Sequence, residues 1–181
     1  KRYTEIIFDR CIGCGNCLSN CPQRAKMVAD KVGVTESLLT SEDKVIAVLG
    51  SSFPAFFHNV APGQLVAGLK RIGFREVHEG AYGAELIADD YARITGDNDR
   101  TYISSHCPAI VDLIERHYPK LLRNLVPVVS PMIAMGRYLK EVLGPKTKVV
   151  YISSCIAAKF ETQMTETRGA IDIVLTYRGR D

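Results

Sequence analysis

Apolar and polar positions follow two different rhythms along most of the chain, beginning near Lys44. Short continuous apolar runs that end at small or polar residues are typical of buried parallel strands. Such runs predict five strands: Val45–Leu49, Arg75–His78, Thr101–Ser104, Lys148–Ser153 and Ile171–Thr176. Between them, apolar residues recur every three or four positions, which predicts helices at 62–72, 84–94, 108–118 and 131–143. Alternating strands and helices predict an α/β lobe with a largely parallel sheet and flanking helices.

The first 43 residues interrupt this alternation. Residues 1 to about 30 contain four of the six cysteines and few side chains that could form a core, and residues 31–43 form a connector with one short amphipathic piece. We therefore predict two units. A small module with its connector occupies residues 1–43, and the α/β lobe occupies residues 44–181.

Composition excludes several classes of protein. With 46% hydrophobic and 24% charged residues, the 181-residue chain is unlike a disordered one. Its net charge of +3 is spread without a basic stripe, so nucleic acid is not an expected partner. No apolar run approaches the roughly 18 residues of a membrane span. Residues 1–10 lack the apolar stretch of a secretion signal, so we expect a cytoplasmic protein.

Four cysteines fall within eleven residues: Cys11, Cys14, Cys17 and Cys21. Their spacing, with Pro22 directly after the last, is that of bacterial ferredoxins. Thiolates at these intervals let a tight loop wrap an iron–sulfur cubane, and Gly13 and Gly15 allow the backbone to come close. Four thiolates also suit zinc, although zinc sites usually pair two separated knuckles. The run therefore predicts a 4Fe–4S cluster as its metal group, with a zinc-stabilised interaction module as the alternative.

The partner of the fourth cysteine is left open by the sequence. In two-cluster ferredoxins the fourth cysteine of such a run binds the other cluster, and this chain contains one run. Cys21 therefore either closes the same cluster or serves a second cluster whose run lies outside the sequence.

The two remaining cysteines, Cys107 and Cys155, follow predicted strands through Ser-Ser pairs. Ligands of open parallel sheets bind beyond the carboxyl ends of the strands. We therefore expect both thiols to lie close together at one edge of the sheet. Burial as small core residues is the alternative.

These features resemble the iron-only (FeFe) hydrogenase family, including its ferredoxin-like module. The stretch Ser104-Ser105-His106-Cys107-Pro108 resembles the family's first signature, Thr-Ser-Cys-Cys-Pro. The second signature, Met-Pro-Cys-x-x-Lys-Lys-x-Glu, is matched in part by Ser153-Ser154-Cys155-Ile156-Ala157-Ala158-Lys159-Phe160-Glu161. Shorter matches lie at Gly83-Ala84-Glu85, Tyr118-Pro119-Lys120-Leu121, Ser130-Pro131-Met132 and Ile171–Thr176.

The resemblance implies that Cys107 and Cys155 bind the cubane half of a catalytic H-cluster, which joins a 4Fe–4S group to a diiron subsite. The cubane's other two ligands would come from a second lobe or subunit, so we expect the chain to be a truncated first lobe. His106 stands where the family has its proton-relay cysteine, which makes it the candidate catalytic residue.

The chain departs from the family pattern at several positions, including Ser153–Ser154 in place of Met-Pro. The lysine that binds a cyanide of the diiron site aligns with Ala158, while Lys159 is one residue further on and is expected to point elsewhere. The relay cysteine is replaced by His106, and the family's acidic pair is replaced by Asp90–Tyr91. These departures resemble sensory or hydrogenase-like members of the family, so enzymatic activity stays open.

Two functions follow from the resemblance. The first is an iron–sulfur redox protein that transfers electrons through a 4Fe–4S cluster, linked to hydrogen production, oxidation or sensing. The alternative is a non-catalytic hydrogenase-like protein, such as a redox sensor, an electron-transfer subunit or a cluster-assembly factor. Both imply a redox partner protein or subunit that supplies electrons.

Overall fold

A four-stranded parallel sheet forms the centre of the chain in a computed structural model that describes residues 5–41, 44–96 and 100–177. The strands are β1 (Val45–Leu49), β2 (Glu76–Glu79), β3 (Lys148–Ser153) and β4 (Ile173–Thr176). They are ordered β2-β1-β3-β4, and every pairing is parallel. Every residue of β1 is buried, as its continuous apolar run predicts. The α/β fold class is confirmed.

Helices flank this sheet on both faces, and short helical segments also lie in the module before it. The module contains α1 (Asn16–Ser19), α2 (Val32–Leu39) and a 3₁₀ turn at Phe8–Arg10. The lobe contains α3 (Phe53–Phe56), α4 (Pro62–Arg71), α5 (Ala81–Leu86), α6 (Ala88–Thr95), α7 (Pro108–His117), α8 (Pro131–Leu143), α9 (Ala157–Glu161) and a 3₁₀ turn at Pro119–Asn124. No helix in the described residues is long and apolar enough to cross a membrane.

The hydrophobic core lies on the two faces of the sheet. Alternate residues of β1 and β3 point to opposite faces, so Ile46 and Val48 join a cluster with α8, whereas Val45 and Ala47 join a cluster with Phe74. The first cluster also includes Met132, Ile133, Met135 and Leu139 from α8. This packing fixes α8, and with it Ser130 at its N-terminal cap, against the sheet.

The predicted strand at Thr101–Ser104 is wrong. Among the described residues, only Ile103 makes a β-bridge there, to Leu125, and the segment does not join the sheet. The extended pairing ends because the next backbone N–H, that of Ser105, donates to the Tyr91 hydroxyl at 3.0 Å. The Tyr91 side chain therefore accepts the hydrogen bond that the Ser105 N–H would donate in a longer β-ladder.

The predicted helix at 84–94 consists of two helices, α5 and α6, with a break at Ile87. Ile87 has φ −108° and ψ 1°, which is outside the helical region. Helix α5 also begins three residues earlier than predicted and packs closely on α8, where a Cβ at Gly83 would collide with the Pro131 carbonyl oxygen. The predicted boundary at residue 43 lies outside the described residues and stays a prediction.

Candidate functional site

The cysteine run forms a tight loop because two glycines adopt left-handed backbone conformations. Gly13 has φ +65° and Gly15 has φ +76°, values that residues other than glycine rarely adopt. The turn at Gly13 brings its backbone N–H to 3.4 Å from the Cys11 sulfur. The Cys14 and Cys17 side chains are exposed, whereas Cys11 is half-buried.

Cys21 lies at the end of this loop among backbone N–H donors. The N–H of Ala25 lies 3.4 Å from the Cys21 sulfur. Bonds from the backbone N–H groups of Ala25 and Gln23 lower the pKa of the Cys21 thiol, which favours the thiolate. The thiolate is the form that binds metals.

The donor set of the run fits an iron–sulfur cluster in its chemistry: four cysteines, with amide groups directed at two of their sulfurs. Among the described residues, no group of three or more His, Cys, Asp or Glu side chains is close enough to hold a metal ion. Both alternatives for Cys21, closing the same cluster as the other three cysteines or serving a second cluster, stay open.

The loop packs against helix α9 of the lobe. A Cβ at Gly13 would lie 2.8 Å from the Phe160 ring, and one at Gly15 would lie 2.5 Å from Cδ1 of Ile156. The Lys159 ammonium donates to the Ala29 carbonyl at 2.9 Å, so it points away from the sheet edge, as expected. Helix α9 thus connects the module to the part of the lobe that contains Cys155.

The end of α7 holds the module at a second place. The Arg116 guanidinium donates to the Phe8 carbonyl at 3.1 Å, and the His117 ring donates to the Arg10 carbonyl at 3.0 Å. Arg116 is itself fixed by an ion pair with Asp112 at 3.0 Å. The chain entering Cys11 is therefore bound to the lobe through its backbone.

Cys155 lies two residues after the end of β3, at the carboxyl edge of the sheet. Its backbone N–H donates to the Ser153 hydroxyl at 3.1 Å, which turns the chain from β3 towards α9. Burial raises the pKa of the Cys155 thiol, and a negative charge on Cys107 raises it further. The two cysteines, 48 positions apart in sequence, are thus close enough to interact electrostatically.

Cys107 reaches this edge from outside the sheet. It precedes α7 as its N-terminal cap, and the chain arrives through the bridge at Ile103. The expectation that Cys107 follows a strand of the sheet is therefore wrong. The Cys107 side chain is exposed and the Cys155 side chain is half-buried, so neither is a fully buried core residue. Their role as cluster ligands stays a prediction.

His106 is exposed next to Cys107 and is held by Tyr91. The two rings lie 4.6 Å apart between centroids, and the His106 backbone N–H donates to the Ser104 hydroxyl at 3.3 Å. The Tyr91 hydroxyl lies 2.7 Å from that of Ser105. His106 as a catalytic residue stays a prediction, and the sequence did not indicate that Tyr91 would be its neighbour.

The sequence placed one chemically notable side chain, Glu161, in the second signature but did not indicate its burial. Glu161, at the end of α9, is only 7% exposed, and its Oε2 atom has no hydrogen-bond partner among the described residues. Burial raises the pKa of Glu161 to about 7. A sequence signal did exist, since Glu161 ends a short helix whose other residues are mainly apolar.

Family comparisons agree with this architecture. Residues 43–179 match the family described as iron only hydrogenase large subunit, C-terminal domain. Residues 4–27 match the 4Fe-4S binding domain. The chain is 26% identical to the NADP-reducing hydrogenase subunit HndD of Solidesulfovibrio fructosivorans, over 93% of this chain and 34% of that protein.

Two further relatives differ in kind. Iron hydrogenase 1 of Clostridium pasteurianum is 29% identical over 74% of this chain and 26% of that protein. The cytosolic Fe-S cluster assembly factor NAR1 of Vanderwaltozyma polyspora is 34% identical over 44% of this chain and 15% of that protein. The chain therefore spans about a third or less of the relatives it matches.

Solved structures show the same fold. An FeFe-hydrogenase studied for oxygen inactivation of its H cluster superposes with a TM-score of 0.66 at 23% identity, covering 82% of this chain and 45% of that one. The apo FeFe-hydrogenase HydA1 of Chlamydomonas reinhardtii gives a TM-score of 0.59 at 20% identity, with the same coverage of both chains. With its cysteine run and its α/β lobe matched in order, the chain belongs to the iron-only hydrogenase family.

Proposed function

We propose that the chain carries single electrons between two iron–sulfur groups of an FeFe-hydrogenase-type protein. Cys11, Cys14 and Cys17, with or without Cys21, would hold a 4Fe–4S cluster, and Cys107 and Cys155 would supply two ligands of a second. Such clusters accept and release one electron at a time, at potentials set by their surroundings. A second lobe or subunit would supply the second cluster's remaining ligands, and a redox protein would exchange electrons with the first.

Helix α9 is the observation that carries this proposal. Ile156 and Phe160 contact the glycines of the cysteine run, and Cys155 lies two residues before the start of the same helix. The two sets of thiols are therefore joined through one short, largely buried segment of chain. These contacts would fix the separation of the two redox groups.

Each set of thiols has its own electrostatic setting. Backbone N–H groups around Cys21 favour a bound thiolate in an exposed loop. Burial opposes a free thiolate at Cys155, so a metal group that shares the negative charge would relieve that cost. The N–H groups of Ala157 and Ala158 act in the same favourable direction.

Anaerobic reconstitution tests the proposal. The chain is incubated with iron and sulfide, desalted and assayed for bound iron, acid-labile sulfide and visible absorption. We expect both elements to be bound, with large losses in Cys14→Ser and little change in Ser19→Ala, an exposed neighbour. Cys155→Ser should retain the group at the run. Stoichiometric zinc without sulfide would contradict the proposal.

A non-catalytic role is the second candidate, and two positions favour it. Ala158 has no donor for a diiron ligand, and Lys159 is engaged with Ala29 of the module. The similarity to NAR1, a cluster assembly factor, covers less than half of the chain but points the same way. Infrared spectra of the full-length protein distinguish the roles, because a diiron group gives carbonyl and cyanide bands. Bands together with hydrogen turnover would exclude the non-catalytic role.

A further inference from the structure

The segment of chain that enters Cys107 is held by the Tyr91 side chain. The Ser105 backbone N–H donates to the Tyr91 hydroxyl at 3.0 Å, and the hydroxyl oxygens of Tyr91 and Ser105 lie 2.7 Å apart. Ser105 is 6% exposed, so its backbone donor has little access to water. A buried backbone N–H needs a partner, and the Tyr91 hydroxyl is that partner.

The direction of each hydrogen bond follows from the number of hydroxyl protons. The Ser105 hydroxyl has one proton and donates it to the Val128 carbonyl. The proton between the two hydroxyls must then come from Tyr91, which donates to Ser105 while it accepts from the Ser105 N–H. The family resemblance places an acidic residue at this position, and an ionised carboxylate accepts hydrogen bonds but cannot donate one. The two-way contact therefore depends on the hydroxyl of Tyr91.

The ring of Tyr91 holds the residue after Ser105. Its centroid lies 4.6 Å from that of the His106 ring, and the two planes are tilted by 51°. Aromatic rings commonly pack at such distances. Tyr91 lies within α6, where its carbonyl accepts a hydrogen bond from the Thr95 hydroxyl at 2.8 Å. The hydroxyl and the ring together therefore fix residues 105 and 106 against α6.

Cys107 is fixed on its other side by the first turn of α7. Its carbonyl accepts the backbone N–H groups of Ile110 at 3.0 Å and Val111 at 3.1 Å. Because Tyr91 holds the two residues before it, the backbone of Cys107 is constrained from both directions. The Cys107 side chain is exposed, so the position of its thiol depends on the backbone more than on packing around the sulfur.

We propose that Tyr91 is a positioning residue for Cys107, an inference that rests on the function proposed above. Its hydroxyl and ring hold residues 105 and 106 so that the Cys107 thiol is presented to the iron–sulfur group that it shares with Cys155. Outer groups that orient a metal ligand alter the affinity and the potential of the metal group. Tyr91 thus acts on the group through Cys107.

Electron paramagnetic resonance of the reduced protein tests the proposal. The full-length protein is reconstituted anaerobically with iron and sulfide and reduced with dithionite. Cys14→Ser, which we expect to lose the group at the cysteine run, assigns the remaining signal to the group at Cys107 and Cys155. Tyr91→Phe keeps the ring and removes the hydroxyl, so we expect that signal to broaden and the midpoint potential of that group to shift. The signal of the group at the run should not change.

The rate of iron loss gives a second readout. In Tyr91→Phe the group at Cys107 and Cys155 should lose iron to a chelator about three- to tenfold faster, the factor expected when one or two hydrogen bonds are removed. Iron at the cysteine run should be lost at the wild-type rate. A change of stability alone would leave the signal and the potential of the bound group unaltered.

Tyr82→Phe is the matched control, since it makes the same change on the neighbouring helix α5, where the Tyr82 ring contacts that of Tyr138. Both groups should keep their wild-type signals in this variant. Ser105→Ala removes the acceptor of the Tyr91 proton and keeps the backbone N–H, so it should shift the signal less than Tyr91→Phe. In the double variant the shift should be smaller than the sum of the two single shifts, because both changes break one shared contact.

The outcomes separate this proposal from the proposed function. A wild-type signal and potential in Tyr91→Phe, or an equal change in Tyr82→Phe, refutes the positioning role and leaves the electron-transfer proposal intact. If circular dichroism shows that Tyr91→Phe does not fold, Ser105→Ala decides, and an unchanged signal there overturns the positioning role. If the wild type binds no iron and sulfide at Cys107 and Cys155, both proposals fail.

Discussion

Two glycine-to-alanine changes, Gly136→Ala and Gly68→Ala, test the packing that holds the site together, because we expect opposite effects on stability. Gly136 lies in the interior of α8 and Gly68 in the interior of α4, so the intrinsic gain in helix stability is the same. That gain is about 0.5–1 kcal/mol, since alanine loses less conformational freedom on folding than glycine. Only the surroundings of the new methyl group differ.

At Gly68 the methyl group meets nothing within 4 Å. At Gly136 it would collide with the Ala170 carbonyl oxygen, and it would lie 2.6 Å from Cδ1 of Ile171. Backbone atoms cannot rotate away as a flexible side chain can, so α8 must move from the loop before β4. Such overpacking typically costs about 1–3 kcal/mol. We therefore expect Gly68→Ala to stabilise by about 0.5–1 kcal/mol and Gly136→Ala to destabilise by about 1–2 kcal/mol.

Urea unfolding followed by far-ultraviolet circular dichroism measures both values, with the chain kept anaerobic. An equal slope of free energy against urea in the three proteins shows that the comparison concerns stability alone. If Gly136→Ala is as stable as Gly68→Ala, α8 does not pack against Ala170 as described. The close contact of α8 with this loop matters for the site, because the loop's Thr167 hydroxyl donates to the Glu161 carbonyl.

Three further predictions follow. The pKa of Glu161 is about 7 in the folded chain and 4.5 in a free glutamate, so the chain should lose roughly 3 kcal/mol of stability as pH rises from about 4.5 to 7. Urea midpoints across that range should show the loss in the wild type and not in Glu161→Gln. Parallel plots of midpoint against pH for the two proteins would contradict the prediction. Arg116→Gln leaves buried Asp112 without its cation and should lower the free energy of unfolding by about 1–3 kcal/mol. Arg93→Gln breaks an exposed pair and should lower it by under about 1 kcal/mol. Thermal unfolding measures both, and similar melting temperatures for the two variants would count against the buried pair. The 181-residue chain supplied with a synthetic diiron cofactor should evolve no hydrogen, because it offers two of the four cubane cysteines that the family resemblance implies. Gas chromatography measures the hydrogen, and measurable turnover would refute that ligand count.

Much of the lobe followed from the sequence because its strands are short, apolar and interrupted by clear helix signals. Burial on both faces of the sheet makes β1 apolar throughout, and β3 has an apolar run at its centre, so the positions of both strands could be predicted to the residue. The apolar residues of Thr101–Ser104 gave the same local signal. Its backbone donor is taken by the Tyr91 hydroxyl, a partner that local pattern cannot reveal.

The candidate site was predictable only in part for a related reason. Cysteine spacing is a local property, and the run of four stands out in any sequence. The burial of Glu161 depends on three elements that meet only in the folded chain: α7, α9 and the start of α8. Its titration therefore could not be predicted, although its place at the end of the second signature could.

The attachment of the module to the lobe has a consequence for how the sequence can vary. Arg116, His117 and Lys159 all bind carbonyl groups of the module's backbone, at Phe8, Arg10 and Ala29. Every amino acid presents the same carbonyl, so these contacts recognise the course of the chain and not the identity of its side chains. Substitutions at the three module positions are therefore tolerated by the attachment, whereas each of the three lobe positions needs a side chain that can donate a hydrogen bond. In a family comparison, variation should concentrate on the module's side of this contact and constancy on the lobe's side.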